Sequence, residues 1–105
     1  MALPPVKHLS ALSVNLAGEQ IKVLGAGSSF RFEHILSSDH VSPMGFWYDQ
    51  DTDEWAILLS GSAELEFEEG RVRLSAGDAV LIPAHLRHRV ARSLGAVWLA
   101  LHFLT

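Results

Sequence analysis

The chain has 105 residues, of which 49% are apolar and 19% charged, and its formal net charge is −4. This length allows one domain, and the composition is that of a folded chain rather than a disordered one. Because there is no cysteine, disulfides, thiolate metal sites and a cysteine nucleophile are excluded. The acidic balance argues against nucleic-acid binding. With neither a membrane-length apolar run nor a secretory signal pattern, we expect a cytoplasmic protein.

The first 19 residues are the least regular part of the chain. Leu9, Leu12 and Leu16 have the spacing of one helix face, but the polar residues between them weaken a helix there. We therefore predict an irregular N-terminal arm over residues 1–19, packed on a single folded domain of residues 20–105.

From Gln20 onward the apolar residues follow a period of two, which is typical of strands. Residues 20–24 predict a short strand that ends at the Gly/Ser-rich stretch 25–29. Phe30 to His34 alternates aromatic or imidazole side chains with Arg31 and Glu33, which predicts a half-buried strand. Residues 44–48 are rich in aromatic side chains that favour β structure. Trp55 to Leu59 is a continuous apolar run, which predicts a strand that ends at Ser60-Gly61.

The clearest local feature is a hairpin within residues 62–75. Ala63, Leu65 and Phe67 face one way and three glutamates the other, and Glu69-Gly70 suits a two-residue turn. A turn centred there predicts four cross-strand pairs: Glu68 with Arg71, Glu66 with Arg73, Phe67 with Val72, and Leu65 with Leu74. Charges then meet charges, and apolar residues meet apolar residues.

The remainder of the chain predicts three more strands. Residues 79–82 form one, ended by Pro83, and His88 to Arg92 form another with His88 and Val90 on one face. Ala96 to Leu104 is almost wholly apolar, which predicts burial on both faces, inside the fold or against another copy of the chain. Many short strands without a clear helix indicate an all-β sandwich or barrel. We expect a homodimer, because the edges and apolar faces of so small a sheet need covering.

Two motifs stand out by their spacing. Glu54 is followed by six residues and Gly61, and Gly77 is followed by five residues, Pro83 and then His88. This spacing resembles the two motifs of the cupin superfamily. The two histidine positions that precede the Glu in cupins fall here on Tyr48 and Gln50, and His85 stands in place of a second glycine in the second motif. The resemblance covers about residues 45–92. It implies the double-stranded β-helix, a jelly-roll barrel.

The resemblance also implies a divalent metal, such as iron, zinc, manganese or nickel, inside the barrel. The positions of the family's ligands hold Tyr48, Gln50, Glu54 and His88, of which Glu54 and His88 match the usual residue types. His85 is a further candidate ligand, and His34 and His102 would be others if their strands line the barrel. Glu54, His88 and one more imidazole would make a two-histidine, one-carboxylate centre.

Three functions are compatible with these residues. The first is a metal-dependent enzyme, an oxygenase or isomerase, that acts on a small molecule, with Tyr48, Glu54 and His88 as catalytic residues. The second is a module that binds or senses a small molecule without metal, favoured by the replaced histidines at Tyr48 and Gln50. The third is a metal-free epimerase with His88 and Tyr48 as base and acid.

Overall fold

A computed structural model describes residues 3–6, 8–9 and 18–105, and these residues form six antiparallel strands and no helix. The strands are β1 (Gly18–Ala26), β2 (Phe30–Ser38), β3 (Asp53–Phe67), β4 (Gly70–Ser75), β5 (Ala79–Ile82) and β6 (His88–Phe103). The predicted arm, with the helical face of Leu9, Leu12 and Leu16, lies largely outside the described residues. Within them, no helix has the length and hydropathy to cross a membrane.

The long strands β3 and β6 are paired along their length and form the centre of the fold. The strand order is β1-β2-β6-β3-β4, and β5 pairs with the first part of β3. β2 flanks only the second half of β6, whereas β4 flanks only the second half of β3. The sheet therefore has two parts with different outer strands, which face each other across an interior. This is the predicted all-β barrel.

Two glycines bend the central strands where the sequence predicts strand ends. Ser60-Gly61 was expected to stop one strand, and residues 88–92 and 96–104 were expected to form two; both predictions are wrong. β3 and β6 run through these points, with Gly61 at φ +79°, Gly95 at φ +54°, and irregular register between Leu58 and Ser62. A bulge with a left-handed glycine turns a strand without ending its pairing.

The β3–β4 hairpin forms, but its predicted register is wrong by two residues. Phe67 pairs with Gly70, so the turn residues are Glu68 and Glu69, and Glu64 rather than Glu66 lies opposite Arg73. Gly70, at φ +149°, is the fourth residue of the turn, a position where type I turns favour glycine. A shift of two keeps every side chain on its predicted face.

Residues 44–48 form no strand, although their composition favours one. Met44 and Gly45 lie in a turn, and Tyr48 alone makes a bridge to His88. The segment runs along β6 instead, where the Ser42 N–H donates to the Val90 carbonyl and the Val90 N–H to the Ser42 hydroxyl. Pro43 lacks the N–H that a continuing ladder would need.

Side chains alternate between the interior and the outer face of the sheet. In β2, Arg31 and Glu33 point inward, so Phe32 and His34 point outward, the reverse of the usual pattern. The core is the apolar part of the interior, made of Ala56, Leu58, Ala63, Leu65, Leu74, Ile82, Val90, Ala96 and Trp98. It packs the two parts of the sheet against each other and leaves the polar inward residues at one end.

The outer face of β2, β6, β3 and β5 is apolar and incompletely covered by the described residues. Trp55 pairs with Leu81 on one side and with Leu101 on the other, and Ile57 pairs with Leu99. Trp55 is 39% exposed and Leu81 45%. An apolar sheet face of this kind is typical of a protein–protein contact.

We expect this face to pair with that of a second copy, so that the protein sediments as a dimer at micromolar concentration. Trp55→Glu should shift it to monomer, because a buried unpaired carboxylate opposes association. Leu86→Glu is the matched control, since Leu86 is 44% exposed but lies outside the strands. A wild-type protein that sediments only as monomer would contradict the expectation.

Candidate functional site

A cavity of about 210 Å³ lies inside the barrel, with a polar end and an apolar wall. The apolar wall includes Ile35, Leu65, Ile82, Val90 and Trp98. The polar end is made by residues of β2, β3, β6 and the segment before β3: Glu33, Tyr48, Gln50, Glu54, His88 and His102. A concave site with few polar groups set against apolar walls is the usual form of a small-molecule pocket.

Glu54 and His88, the two residues that match the family's motifs, both lie in this polar end. They are 7% and 5% exposed, and Glu54 Oε1 is 3.7 Å from His88 Nε2. His88 Nδ1 donates to the Leu86 carbonyl at 3.0 Å, so in the neutral ring Nε2 carries the lone pair that faces the cavity. The sequence brings the two residues together because β3 and β6 bend over each other at their glycines.

Tyr48 orients His88 rather than offering a free phenol. Its ring stacks on the imidazole with centroids 5.4 Å apart, and its backbone exchanges two hydrogen bonds with His88. Its hydroxyl donates to Glu19 Oε1 at 3.0 Å. Burial, together with the nearby charge of Glu19, raises the pKa of Tyr48 above its ordinary value, so the phenol stays protonated.

Gln50 is linked to Glu54 by its amide. Gln50 Nε2 donates to Glu54 Oε1 at 3.1 Å, and Gln50 Oε1 is buried without a hydrogen-bond partner among the described residues. The amide nitrogen must face the carboxylate, because the flipped amide would set two acceptors against each other. The amide carbonyl therefore points away from Glu54.

His102, one of the further histidine candidates, joins this group. It lies directly opposite Glu54 in the β3–β6 pairing, and its Nδ1 is 4.0 Å from Glu54 Oε1. His102 Nε2 donates to Glu33 Oε1 at 2.9 Å, and Arg31 Nε donates to Glu33 Oε2 at 3.0 Å. Glu33, which is 8% exposed, therefore holds the ring of His102 from behind.

Glu33 is not among the site residues predicted from the sequence. Alternation along β2 shows that Arg31 and Glu33 share a face, but it does not show which face is the interior. Charged residues usually face solvent, so the aromatic face of β2 was the natural inside. One signal in the sequence bore on this choice: residues 96–104 are apolar on both faces, which implies that the outer face of the sheet is also covered. An apolar face of β2 can therefore lie outside.

His85 and His34 are not brought to the cavity. The His85 ring lies at the rim with its side chain 64% exposed, and its Nδ1 is 2.9 Å from Asp49 Oδ1, a hydrogen bond that raises the pKa of His85. Its backbone, at φ +65°, follows the turn after Pro83 and aims the ring outward. His34 lies on the outer face of β2. Neither residue joins Glu54 and His88.

The residues at the four ligand positions do not fit the metal centre that the resemblance implies. Tyr48 is a protonated phenol that donates to Glu19, and Gln50 presents its N–H rather than its carbonyl to Glu54. Through residues 3–6, 8–9 and 18–105, no three His, Asp or Glu side chains are grouped closely enough to hold a metal ion. Of the residues at these four positions, only Glu54 and His88 supply donors of the expected type.

Comparison with known proteins identifies the family. A family model described as a cupin domain matches residues 44–102. The chain is similar to the crystal structure of a candidate mannose-6-phosphate isomerase from Ralstonia eutropha JMP134, with 38% identity over 97% of this chain and 100% of that one and a TM-score of 0.90. No curated protein matches the chain.

More distant structures share the fold. A cupin superfamily protein from Desulfitobacterium hafniense DCB-2 is 16% identical over 100% of this chain and 94% of its own, with a TM-score of 0.81. KdgF from Halomonas sp. is 23% identical over 87% and 84%, with a TM-score of 0.70. Such identities show the fold alone. The family model covers more than half of the chain and confirms the predicted family and barrel: the chain belongs to the cupin family.

Proposed function

We propose that this chain is a small-molecule enzyme of the isomerase class, which moves a proton between adjacent atoms of a ligand held in the barrel. The observation that carries the proposal is the pair of His88 Nε2 and Glu54 Oε1, 3.7 Å apart, buried and both facing the cavity. Two proton-accepting atoms at this separation can reach neighbouring atoms of one small molecule.

In the proposed reaction, His88 Nε2 removes the proton from a carbon next to a carbonyl group. The electron pair of that C–H bond forms the carbon–carbon double bond of an enediolate, in which the former carbonyl oxygen takes up the proton that Glu54 removes from the neighbouring hydroxyl and the negative charge lies on the oxygen of that hydroxyl. Return of the first proton from His88 to the former carbonyl carbon completes an aldose–ketose exchange. No atom is lost and no oxidant is needed.

The stacked ring of Tyr48 and the hydrogen bond to the Leu86 carbonyl support this role for His88, because they fix the ring and leave Nε2 as the base. The hydrogen bond from Gln50 fixes Glu54 in the same way. Tyr48 acts here as a positioning residue, since its hydroxyl is engaged by Glu19. The catalytic roles of Tyr48, Glu54 and His88 remain predictions.

The test is proton exchange with solvent. The Ralstonia eutropha relative suggests mannose 6-phosphate and mannose as first substrates, followed by other aldoses and ketoses. In D2O, the wild-type protein should exchange the C2 hydrogen, followed by NMR, and His88→Ala should lower the rate about 10²–10⁴-fold. Glu66→Gln is a matched control, because Glu66 pairs with Arg71 and Arg89 away from the cavity. Exchange that survives His88→Ala would contradict the proposal.

A binding or sensing module without catalysis is the second candidate. The observation in its favour is that Glu54 already accepts a hydrogen bond from Gln50, as a purely structural carboxylate would. Ligands that raise the melting temperature while no tested compound undergoes exchange or turnover would favour this candidate over the isomerase.

Metal dependence is the alternative that the family raises, because cupins often bind a divalent metal. Its support here is that Glu54 Oε1 lies near one nitrogen of each of His88 and His102; its weakness is the poor fit of Tyr48 and Gln50. Metal analysis of protein purified without a His-tag decides the matter. One equivalent of iron, zinc, manganese or nickel that is lost in Glu54→Gln would show that the metal-free proposal is wrong. Substoichiometric metal together with full exchange activity would support the metal-free proposal.

A further inference from the structure

Two buried acceptor atoms at the polar end of the cavity have no hydrogen-bond partner among the described residues. They are Gln50 Oε1 and His102 Nδ1. His102 is 5% exposed, and both residues line the cavity. A buried acceptor without a partner is costly, so these two atoms call for a water, an ion or a ligand that donates to them.

The acceptor character of both atoms is fixed by groups behind them. The Glu54 carboxylate holds the Gln50 amide by its nitrogen, which leaves the carbonyl free. Glu33 accepts the Nε2–H of His102, so that the neutral ring keeps its lone pair on Nδ1. Arg31 in turn donates to the other oxygen of Glu33, which keeps Glu33 an acceptor toward His102.

His88 adds a third acceptor of the same kind. Its Nδ1–H is bound to the Leu86 carbonyl, and its Nε2 faces the cavity near Glu54. Four side chains from β3, β6 and the preceding segment therefore present acceptor atoms at one end of a cavity whose opposite wall is apolar. A cavity of this kind suits a ligand that carries several hydrogen-bond donors and also has apolar faces.

We infer that the cavity recognises a neutral polyhydroxylated molecule, a sugar or polyol, whose hydroxyl groups donate to Glu54, His88, His102 and Gln50. This inference rests on the proposed function and specifies its substrate class. Ring C–H groups of the ligand pack on Trp98 and the aliphatic side chains beside it. The acceptors belong to four separate side chains, as a ligand with several hydroxyls requires.

An anionic group is disfavoured at this end of the cavity. Glu33 and Glu54 are both buried there, and a phosphate or carboxylate would face their oxygens across a medium that screens charge poorly. Arg31 is the sole Lys or Arg among the cavity-lining residues of the described chain; its Nε donates to Glu33, and its side chain is half exposed at the open side. A charged substituent on the ligand is therefore compatible only with the open side of the cavity.

Thermal shift and calorimetry with a matched panel test the ligand class. The probes are neutral hexoses and hexitols, the corresponding sugar acids and 6-phosphates, and the per-O-methylated hexoses, which keep the skeleton but have no O–H donor. We expect stabilisation by neutral members of the panel and none by their methylated forms. Stronger stabilisation by the acids or phosphates, equal stabilisation by the methylated sugars, no stabilisation by any member, or stabilisation by Mn²⁺ or Zn²⁺ alone would each overturn the inference.

Substitution of Glu33, which holds the ring of His102, gives a second measurement. Glu33→Gln can donate its amide N–H to His102 Nε2, which moves the ring proton to Nδ1 and turns that atom from acceptor into donor. Affinity for the best neutral sugar of the panel should fall about tenfold, the effect of one hydrogen bond. The tautomer change itself is visible in the ¹⁵N shifts of the histidine rings. Unchanged affinity with a changed tautomer would overturn the role given to His102.

Glu66→Gln is the control for the loss of one carboxylate, since it leaves the cavity untouched.

The proposed isomerase reaction and the proposed ligand class can fail separately. If neutral sugars bind but no proton exchange occurs with any of them, the isomerase is wrong and the ligand class stands. If exchange occurs on sugar phosphates that bind better than their neutral parents, the ligand class is wrong and the isomerase stands.

Discussion

Gly61→Ala is expected to lower the free energy of unfolding by more than about 3 kcal/mol. Gly61 has φ +79°, and a Cβ there would lie well inside the contact distance of the carbonyl oxygens of Leu94 and Gly95. These atoms belong to the backbone of β6, so a methyl group at Gly61 would push apart the two central strands. A left-handed alanine alone costs about 1–2 kcal/mol, and the clash with backbone atoms adds to it.

Urea denaturation followed by tryptophan fluorescence measures the effect, and two other glycines separate its two causes. Gly45 and Gly77 also have positive φ, +82° and +93°, but a Cβ at either would meet nothing within 4 Å. Alanine at these positions should therefore cost only the backbone term of about 1–2 kcal/mol. An equal loss at all three glycines would show that the close approach of β3 and β6 contributes nothing.

The same bend shows where prediction from the sequence reached its limit. The motif spacing from Glu54 to Gly61 indicates the barrel, but local composition alone suggests that the strand ends at Ser60-Gly61. A glycine that ends a strand and one that bends it leave the same local pattern, because the difference lies in whether pairing resumes with a strand about 30 residues away. The structure resolves this: β3 pairs with β6 on both sides of Gly61.

The hairpin likewise separates what alternation predicts, the face on which each side chain lies, from what it does not predict, the register of the two strands. Alternation of apolar and charged residues predicts which side chains share a face, and the structure confirms those faces. It does not determine the register, because Glu64, Glu66 and Glu68 are equivalent partners for the arginines of β4. Glu64 lies 2.9 Å from Arg73, and Glu68 pairs with Arg87 instead of with β4. Surface ion pairs are too weak to determine the register. The turn Phe67–Gly70, with glycine as its fourth residue, determines it instead.

The candidate site was predictable where motif spacing located it and not elsewhere. Glu54 and His88 lie at motif positions and meet in the cavity. Glu33 and His102 lie outside the motifs and reach the cavity only through strand pairing. His102 of β6 pairs with Glu54 of β3 on one side and with Arg31 of β2 on the other. Glu33 follows two residues after Arg31 on the same face of β2. His85 was predicted as a ligand on the expectation that a turn after Pro83 brings its ring beside that of His88. His85 itself is left-handed, at φ +65°, and its ring points outward.

Glu54→Gln should lower the proton-exchange rate about 10²–10⁴-fold while leaving the protein as stable as the wild type or more stable. The loss of rate follows because an amide cannot accept the proton that Glu54 removes. Stability is kept or raised because a neutral amide is buried at less cost than a carboxylate. Gln50 can still donate to Oε1 of the new side chain, so the one hydrogen bond that Glu54 accepts is retained.

The substitution removes the burial penalty of the carboxylate together with its charge. Thermal unfolding and NMR exchange, measured on the same preparation, give both quantities. Glu66→Gln again serves as the control: its ion pairs are partly exposed, so it should change stability by less than about 1 kcal/mol and leave exchange unaffected. If Glu54→Gln instead unfolds the barrel, the carboxylate is part of the structural framework. A substitution that removes activity and raises the melting temperature marks a group kept for chemistry at the expense of stability.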